Sequence, residues 1–306
     1  MTAPALALRC LALDAAAVAA ADLLRRAGTD SVLIKGAGLA RRLRADRVYG
    51  DVDLLVAPAA FDAAQAALAA AGYRPRIAEE RAAEWGHWHE RTWAVPGPLA
   101  LTVDLHRGFA GVGDAHELWR AVRAGAEPMP LAGGTVLVPD VAGCALLAAL
   151  HAASPGGFTK PADDLARALA VLPADAWADA AGLAARCTAV PAFAVGLRQV
   201  PAGRGLAARL GLPEQCPPAR WLTAHRATPA AVAVARLAEL SDPHQRLRGL
   251  ARLLLPCPTY LRQTDPRAGG GPGALALAFV RRYLRNARAL PRALRDLHAA
   301  RRQHRA

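Results

Sequence analysis

A chain of 306 residues is long enough for two ordinary domains, and its 54% hydrophobic content rests largely on alanine, since aromatics supply only 5%. The formal net charge of +13 suits an anionic partner such as a nucleotide, a nucleic acid or an acidic surface, although an Arg-rich, Ala-rich composition also follows from a GC-rich genome. The five cysteines (Cys10, Cys144, Cys187, Cys216, Cys257) are odd in number and far apart, which leaves no basis for a disulfide framework or a cysteine zinc site.

Leu6 to Ala27 reads as a helix that stops at Gly28. Arg9 and Asp14 interrupt its apolar stretch, so no leader is read there, and no run approaches the roughly 18 apolar residues of a membrane span. The cytoplasm is the expected compartment. Ser31 to Ile34 predicts a short buried strand, and Gly38 to Ala45 a short helix carrying Arg41, Arg42 and Arg44. Val48 to Val56 is the clearest strand, ended by Pro58, and the helix Phe61 to Ala71 closes at Gly72.

Two further strands are expected over 84–95 and 99–106, joined by the turn Pro96-Gly97-Pro98, with a short strand at Thr135 to Val138. From Asp140 the pattern becomes helical, with breaks at Pro155-Gly-Gly157, Pro173, Pro191, 201–205 and Pro217-Pro218. These observations predict an α/β (α+β) catalytic domain over 1–139 and a helical domain over 140–306. Thr264 to Gly273 reads as a flexible connection. Beyond it Val280, Tyr283, Leu284, Ala287, Leu290, Leu294 and Leu297 mark one apolar helical face, which Pro291 should kink or restart.

The residues with chemical potential cluster in the first half. Asp51 and Asp53 are two apart in a strand, so their side chains share a face. Two adjacent carboxylates repel one another at a half-buried position, and a hard divalent cation relieves that conflict. Asp-x-Asp is equally found at solvated strand ends. Lys35-Gly36 follows a strand and precedes a helix, the setting in which a lysine and backbone N–H groups cradle phosphates. Asp104, with His106 on its face, ends the second hairpin strand, where a third carboxylate serves as metal ligand or general base.

Leu33-Ile34-Lys35-Gly36, Arg47-Val-Tyr49-Gly-Asp51-Val-Asp53-Leu-Leu-Val56, Gly72-Tyr73 and Val103-Asp104-Leu-His106 together resemble the uncharacterised nucleotidyltransferase family, in the DNA polymerase β-like superfamily. The stretches Leu253 to Pro256, Tyr260 to Arg262 and Arg281 to Arg285 resemble the family's C-terminal part. The resemblance implies a small mixed palm-like sheet flanked by helices. It implies Mg²⁺ bound by Asp51, Asp53 and Asp104, with Lys35, Gly36 and Arg47 around the nucleotide. A nucleoside triphosphate would give its nucleoside monophosphate group to a hydroxyl, and pyrophosphate would leave. Most superfamily members carry Gly-Gly or Gly-Ser where this chain has Lys35-Gly36.

In GGFTKPADDLARAL, Lys160 and Asp164 resemble the Lys and Asp that related toxin-type enzymes turn toward the triphosphate, with His151 nearby; a plain helix start is the alternative. His87 and His89 share a face of the first hairpin strand across from Asp104. Strand histidines are more often packed or solvated than metal ligands, so His89, His106 and His151 are read as substrate contacts. Arg281 to Ala306 carries nine arginines against the single acid Asp296, as a basic arm or as the solvated face of a packed helix. Three functions follow: transfer to a small molecule, peptide or protein; transfer to RNA, as in a tRNA-modifying toxin; or nucleotide binding without turnover. The three filled carboxylate positions argue against the last, and the absence of an aromatic-plus-basic motif argues against RNA.

Overall fold

The computed structural model describes residues 3–43, 49–76, 89–154, 159–258, 261–262 and 265–305. The described residues form two compact units, one ending at Leu212 and the other running from Pro213. In the first, helix α1 (Ala3–Arg26) stops at Gly28, whose φ of 76° lies in the left-handed region that glycine enters without strain. Strands β1 (Ser31–Leu33), β2 (Val52–Val56), β3 (Arg74–Pro75), β4 (Glu90–Ala94) and β5 (Thr102–His106) then build a mixed sheet in the order β1-β2-β5-β4-β3. Only β2 and β5 run parallel; the other neighbours are antiparallel.

Alternation along the strands divides the sheet into two chemically different faces. Val52, Leu54 and Val56 of β2, with Val103 and Leu105 of β5, turn toward Leu13, Ala17, Ala20 and Leu24 of α1 and toward Phe61 and Leu68 of α3 (Phe61–Ala70). Each fully buried aliphatic side chain contributes about 1.5–3 kcal/mol. On the opposite face Asp53 stands beside Asp104, which stands beside Thr92; one step along, Leu55, His106 and Glu90 form the next cross-strand row. A one-residue slip would drive both aspartates into the aliphatic core, so burial of the first face sets the position of the second.

The expected elements are present with shorter bounds. The strand expected over 48–56 begins at Val52, leaving Asp51 in the bend before it, and the helix expected over 38–45 is Ala37–Arg42. Two elements escaped the sequence. Helix Ala115–Ala124 is capped by Asp114, whose carboxylate accepts from the Glu117 N–H at 2.9 Å. Strand β6 (Glu127–Leu131) carries Pro128 and Pro130, which argue against a strand, yet it pairs with β7 (Gly134–Val138). Among the described residues that sheet has two strands, so β6 is an edge strand, where a missing N–H is tolerated.

Strands give way to helices after residue 139, but the first compact unit continues to Leu212. Helix Val141–Ala152 is its central rod, buried from Gly143 through Leu150 and packed by the helices Lys160–Val171, Ala174–Arg186 and Val190–Leu197. The second unit packs Ala219, Leu222, Ala231 and Ala235 against Ala293 and Ala300 of the long helix Pro272–Arg305.

Three expectations change in this unit. The packed stripe of the long helix is the alanine one, with Leu297 alongside, whereas Val280, Tyr283, Leu284, Leu290 and Leu294 are exposed. Small side chains let helices approach closely, which a leucine face would prevent. The helix also runs through Pro291, so no new helix starts there. The segment read as a flexible connection holds a short 3₁₀ turn, Pro266–Gly269. There Ala268 is fully buried, and Asp265 accepts from the Arg267 N–H at 3.0 Å and from Arg281 Nε at 2.9 Å. No described helix is long and apolar enough to cross a membrane.

The close packing of the helical layer is testable at Gly196. A Cβ there would lie 1.9 Å from the carbonyl oxygen of Ala149, a backbone atom that cannot move aside alone. Gly196→Ala should therefore cost about 1–3 kcal/mol or more, read as a lower urea midpoint. Gly182→Ala, whose nearest neighbour is the Arg186 tip at 3.9 Å, should instead be neutral or gain about 0.5–1 kcal/mol from reduced chain entropy.

Candidate active site

The polar face of the sheet is built around Asp53. Its carboxylate is almost fully buried, at 2% exposure, and its Oδ1 accepts from Lys35 Nζ at 2.9 Å and contacts His106 Nε2 at 2.9 Å. The topology brings these groups together. Lys35 lies just past β1 and His106 ends β5, and those two strands flank β2. The Ile34 N–H also donates to the Asp53 carbonyl at 3.0 Å, which fixes Lys35 alongside. Burial alone would raise the Asp53 pKa. The Lys35 charge and the His106 hydrogen bond and charge outweigh it and hold the carboxyl well below the usual carboxylate range. Lys35 responds in kind: burial, the largest single influence, pulls its pKa down, and Asp53, Glu90 and Asp51 together outweigh it and leave it raised.

The other two aspartates are in the opposite situation. Burial and the charges of Asp53 and Glu90 push Asp104 up to about 6, against a hydrogen bond from Thr92. Its Oδ1 is buried with no hydrogen-bond partner among the described residues. Asp51 is raised by burial and by Asp53, with Lys35, Lys160 and His106 opposing. Its position depends on α1: Arg9 donates to the Gly50 carbonyl at 3.2 Å, and the Tyr49 hydroxyl donates to the Asp14 carboxylate. Gly36, at φ 62°, brings its backbone close to the Asp51 carbonyl, which a Cβ would meet at 3.7 Å.

The structure thus brings together Lys35, Gly36, Asp51, Asp53, Asp104 and His106 from the expected set. Lys160 is exposed on its own helix but close enough for its charge to act on Asp51. Asp164 lies on the buried face of that helix with Pro161, Leu165 and Ala168, and His151 is half-buried in the last turn of helix Val141–Ala152. Arg47 and His87 lie outside the described residues.

Sequence reasoning missed three groups. Glu90 and Thr92 alternate onto the site face of β4, which only the hairpin register reveals. Phe109 stands near-parallel to the His106 ring with centroids 6.1 Å apart, and Lys35 Nζ lies 5.3 Å from its centroid. His89 approaches the same rings, 6.2 Å from His106 and 6.3 Å from Phe109.

Residues 4–201 match the family described as uncharacterised nucleotidyltransferase, and the chain belongs to that family. It is therefore a nucleotidyltransferase, an enzyme that moves a nucleoside monophosphate group. No curated protein matches the chain. Enzymes of this type typically use divalent metal ions. Asp51, Asp53 and Asp104 fit one chemically: their donors are hard oxygens, two of the carboxyls carry crowding that a cation relieves, and one oxygen is buried without a partner. Another group converges as well. The ligand atoms of His89, Glu90 and His106 all lie within 4.8 Å of one another.

The carboxylates should affect stability with opposite signs. Asp104 has a raised pKa, so its ionised form costs stability once the pH passes from the ordinary carboxylate range through about 6. In chelator, Asp104→Asn should raise Tm at about pH 7.5, and the gain should shrink toward about pH 4.5. Asp53 has a lowered pKa, so its contribution is present above the ordinary range and is lost only in strong acid. Asp53→Asn should lower Tm at about pH 7.5, because it leaves Lys35 without its counter-ion. Shifts of the same sign in thermal melts of the two variants would refute this account.

Proposed function

We propose that this enzyme transfers a nucleoside monophosphate group from a nucleoside triphosphate to a hydroxyl of a small molecule, peptide or protein, with Mg²⁺ held by Asp51, Asp53 and Asp104. The observation that carries the reading is the pairing of Asp53 with Asp104 on adjacent parallel strands, with Asp51 immediately before the first of them. Bound Mg²⁺ would supply charge neutralisation on the triphosphate oxygens.

The acceptor oxygen forms a bond to the α-phosphorus, the bond to the bridging oxygen breaks, and pyrophosphate leaves with that electron pair. The hydroxyl proton needs an acceptor. Asp104, the third carboxylate of the set and paired with Asp53 across β2 and β5, is assigned that role. Lys35 and His106 keep Asp53 ionised and in place. Lys35, Gly36, Arg47, Lys160 and Asp164 are assigned to the nucleotide, and His89, His106 and His151 to the substrate side. The influence of Lys160 on Asp51 supports its share of that role.

RNA as acceptor is the second reading. It is favoured by the exposed Arg285, Arg288, Arg292 and Arg295 of the long helix, and RNA binding that weakens steeply with salt would support it.

The test is pyrophosphate release from each triphosphate with Mg²⁺ and a lysate as acceptor source. Asp51→Asn, Asp53→Asn and Asp104→Asn should each abolish release, and full turnover in Asp53→Asn overturns the mechanism. Lys35→Ala and Lys160→Ala should weaken nucleotide affinity by about 1–3 kcal/mol. Unchanged titrations for both remove the two lysines from the site.

A further inference from the structure

His106 Nε2 is committed to Asp53 Oδ1 at 2.9 Å, and its Nδ1 points the other way, to 3.4 Å from Glu90 Oε2. The ring is fully buried, and Nδ1 has no hydrogen-bond partner among the described residues. When Nε2 donates to a carboxylate, the neutral ring carries its lone pair on Nδ1. A metal ion that takes this lone pair together with the Glu90 oxygen would hold the two groups in that contact, as a proton shared between them would.

A third donor completes the set. His89 Nε2 lies 3.6 Å from the same Glu90 Oε2. In a tetrahedral zinc centre with bonds of about 2.0–2.2 Å, neighbouring ligand atoms stand about 3.3–3.6 Å apart. The two Glu90 separations, 3.4 and 3.6 Å, are close to that edge length. Metal-bound histidines also characteristically donate their other ring N–H to a carboxylate, which fixes the tautomer and strengthens the ligand. Asp53 stands in that relation to His106.

We propose that His89, Glu90 and His106 form a zinc site on the β4–β5 hairpin, separate from the Mg²⁺-binding aspartates and joined to them through the His106–Asp53 hydrogen bond. Two imidazoles and one carboxylate select a borderline transition ion such as Zn²⁺, whereas Mg²⁺ takes all-oxygen sites. His89 and Glu90 are partly exposed, so the ion has a route in from solvent. Three protein ligands leave the fourth position to water or to an oxygen of the substrate.

The site does not require the proposed transfer reaction, and zinc titrations separate the two. Metal-stripped full-length protein, in excess Mg²⁺, is titrated with Zn²⁺ by calorimetry. One equivalent should bind, and His89→Ala and Glu90→Gln should each weaken it at least about 10–100-fold. Asp51→Asn should retain it, whatever its effect on pyrophosphate release. Both altered side chains are partly exposed, and unchanged circular dichroism confirms that the variants fold. Three results overturn the proposal: no zinc uptake by the wild type, retention of that equivalent in either hairpin variant, or its loss in Asp51→Asn.

Discussion

The buried Asp53 carboxylate, held between Lys35 and His106, organises the polar face of the sheet. An ionised carboxylate removed from water is stable only if paired and hydrogen-bonded. One partner lies just past β1 and the other ends β5, the two strands that flank β2, and His106 is distant in sequence. Once Asp53 is pinned as an anion, its neighbours inherit its field. Asp104 and Asp51 are pushed toward protonation, and Lys35 is held charged.

That asymmetry gives carboxylates of one type different chemical characters. Asp53 is a permanent anion with a fixed orientation, while Asp104 has a carboxyl near 6 and an oxygen without a partner. Separating the acidities of neighbouring groups is how a site assembles both fixed charge and a group that can exchange a proton. The aliphatic face below makes this arrangement stable. It locks β2 and β5 in the one register that places Asp53 beside Asp104.

His106 links this centre to the hairpin. One ring nitrogen serves Asp53, and the other faces Glu90 with His89 close by. The ring therefore couples the aspartates to any charge bound on β4. Phe109, itself buried, puts an apolar ring beside both His106 and Lys35, and apolar surroundings strengthen electrostatic interactions.

Much of the site was legible in the amino-acid order. Asp53 was readable from its alternation within the aliphatic run of β2, and Lys35-Gly36 because a strand precedes it, whereas Asp51 falls in the bend before β2, where strand alternation does not place its side chain. Asp104 and His106 were readable for the same alternation. The helical character beyond residue 139 followed from local pattern, and family membership from motif order. The partnerships were not legible. That Lys35 pairs with Asp53, that Glu90 faces His106, and that alanines rather than leucines pack the long helix all depend on which strands and helices become neighbours. Local sequence encodes the direction of a side chain along its own element. The partner it meets there is decided by burial of the opposite face, a property of the whole folded unit.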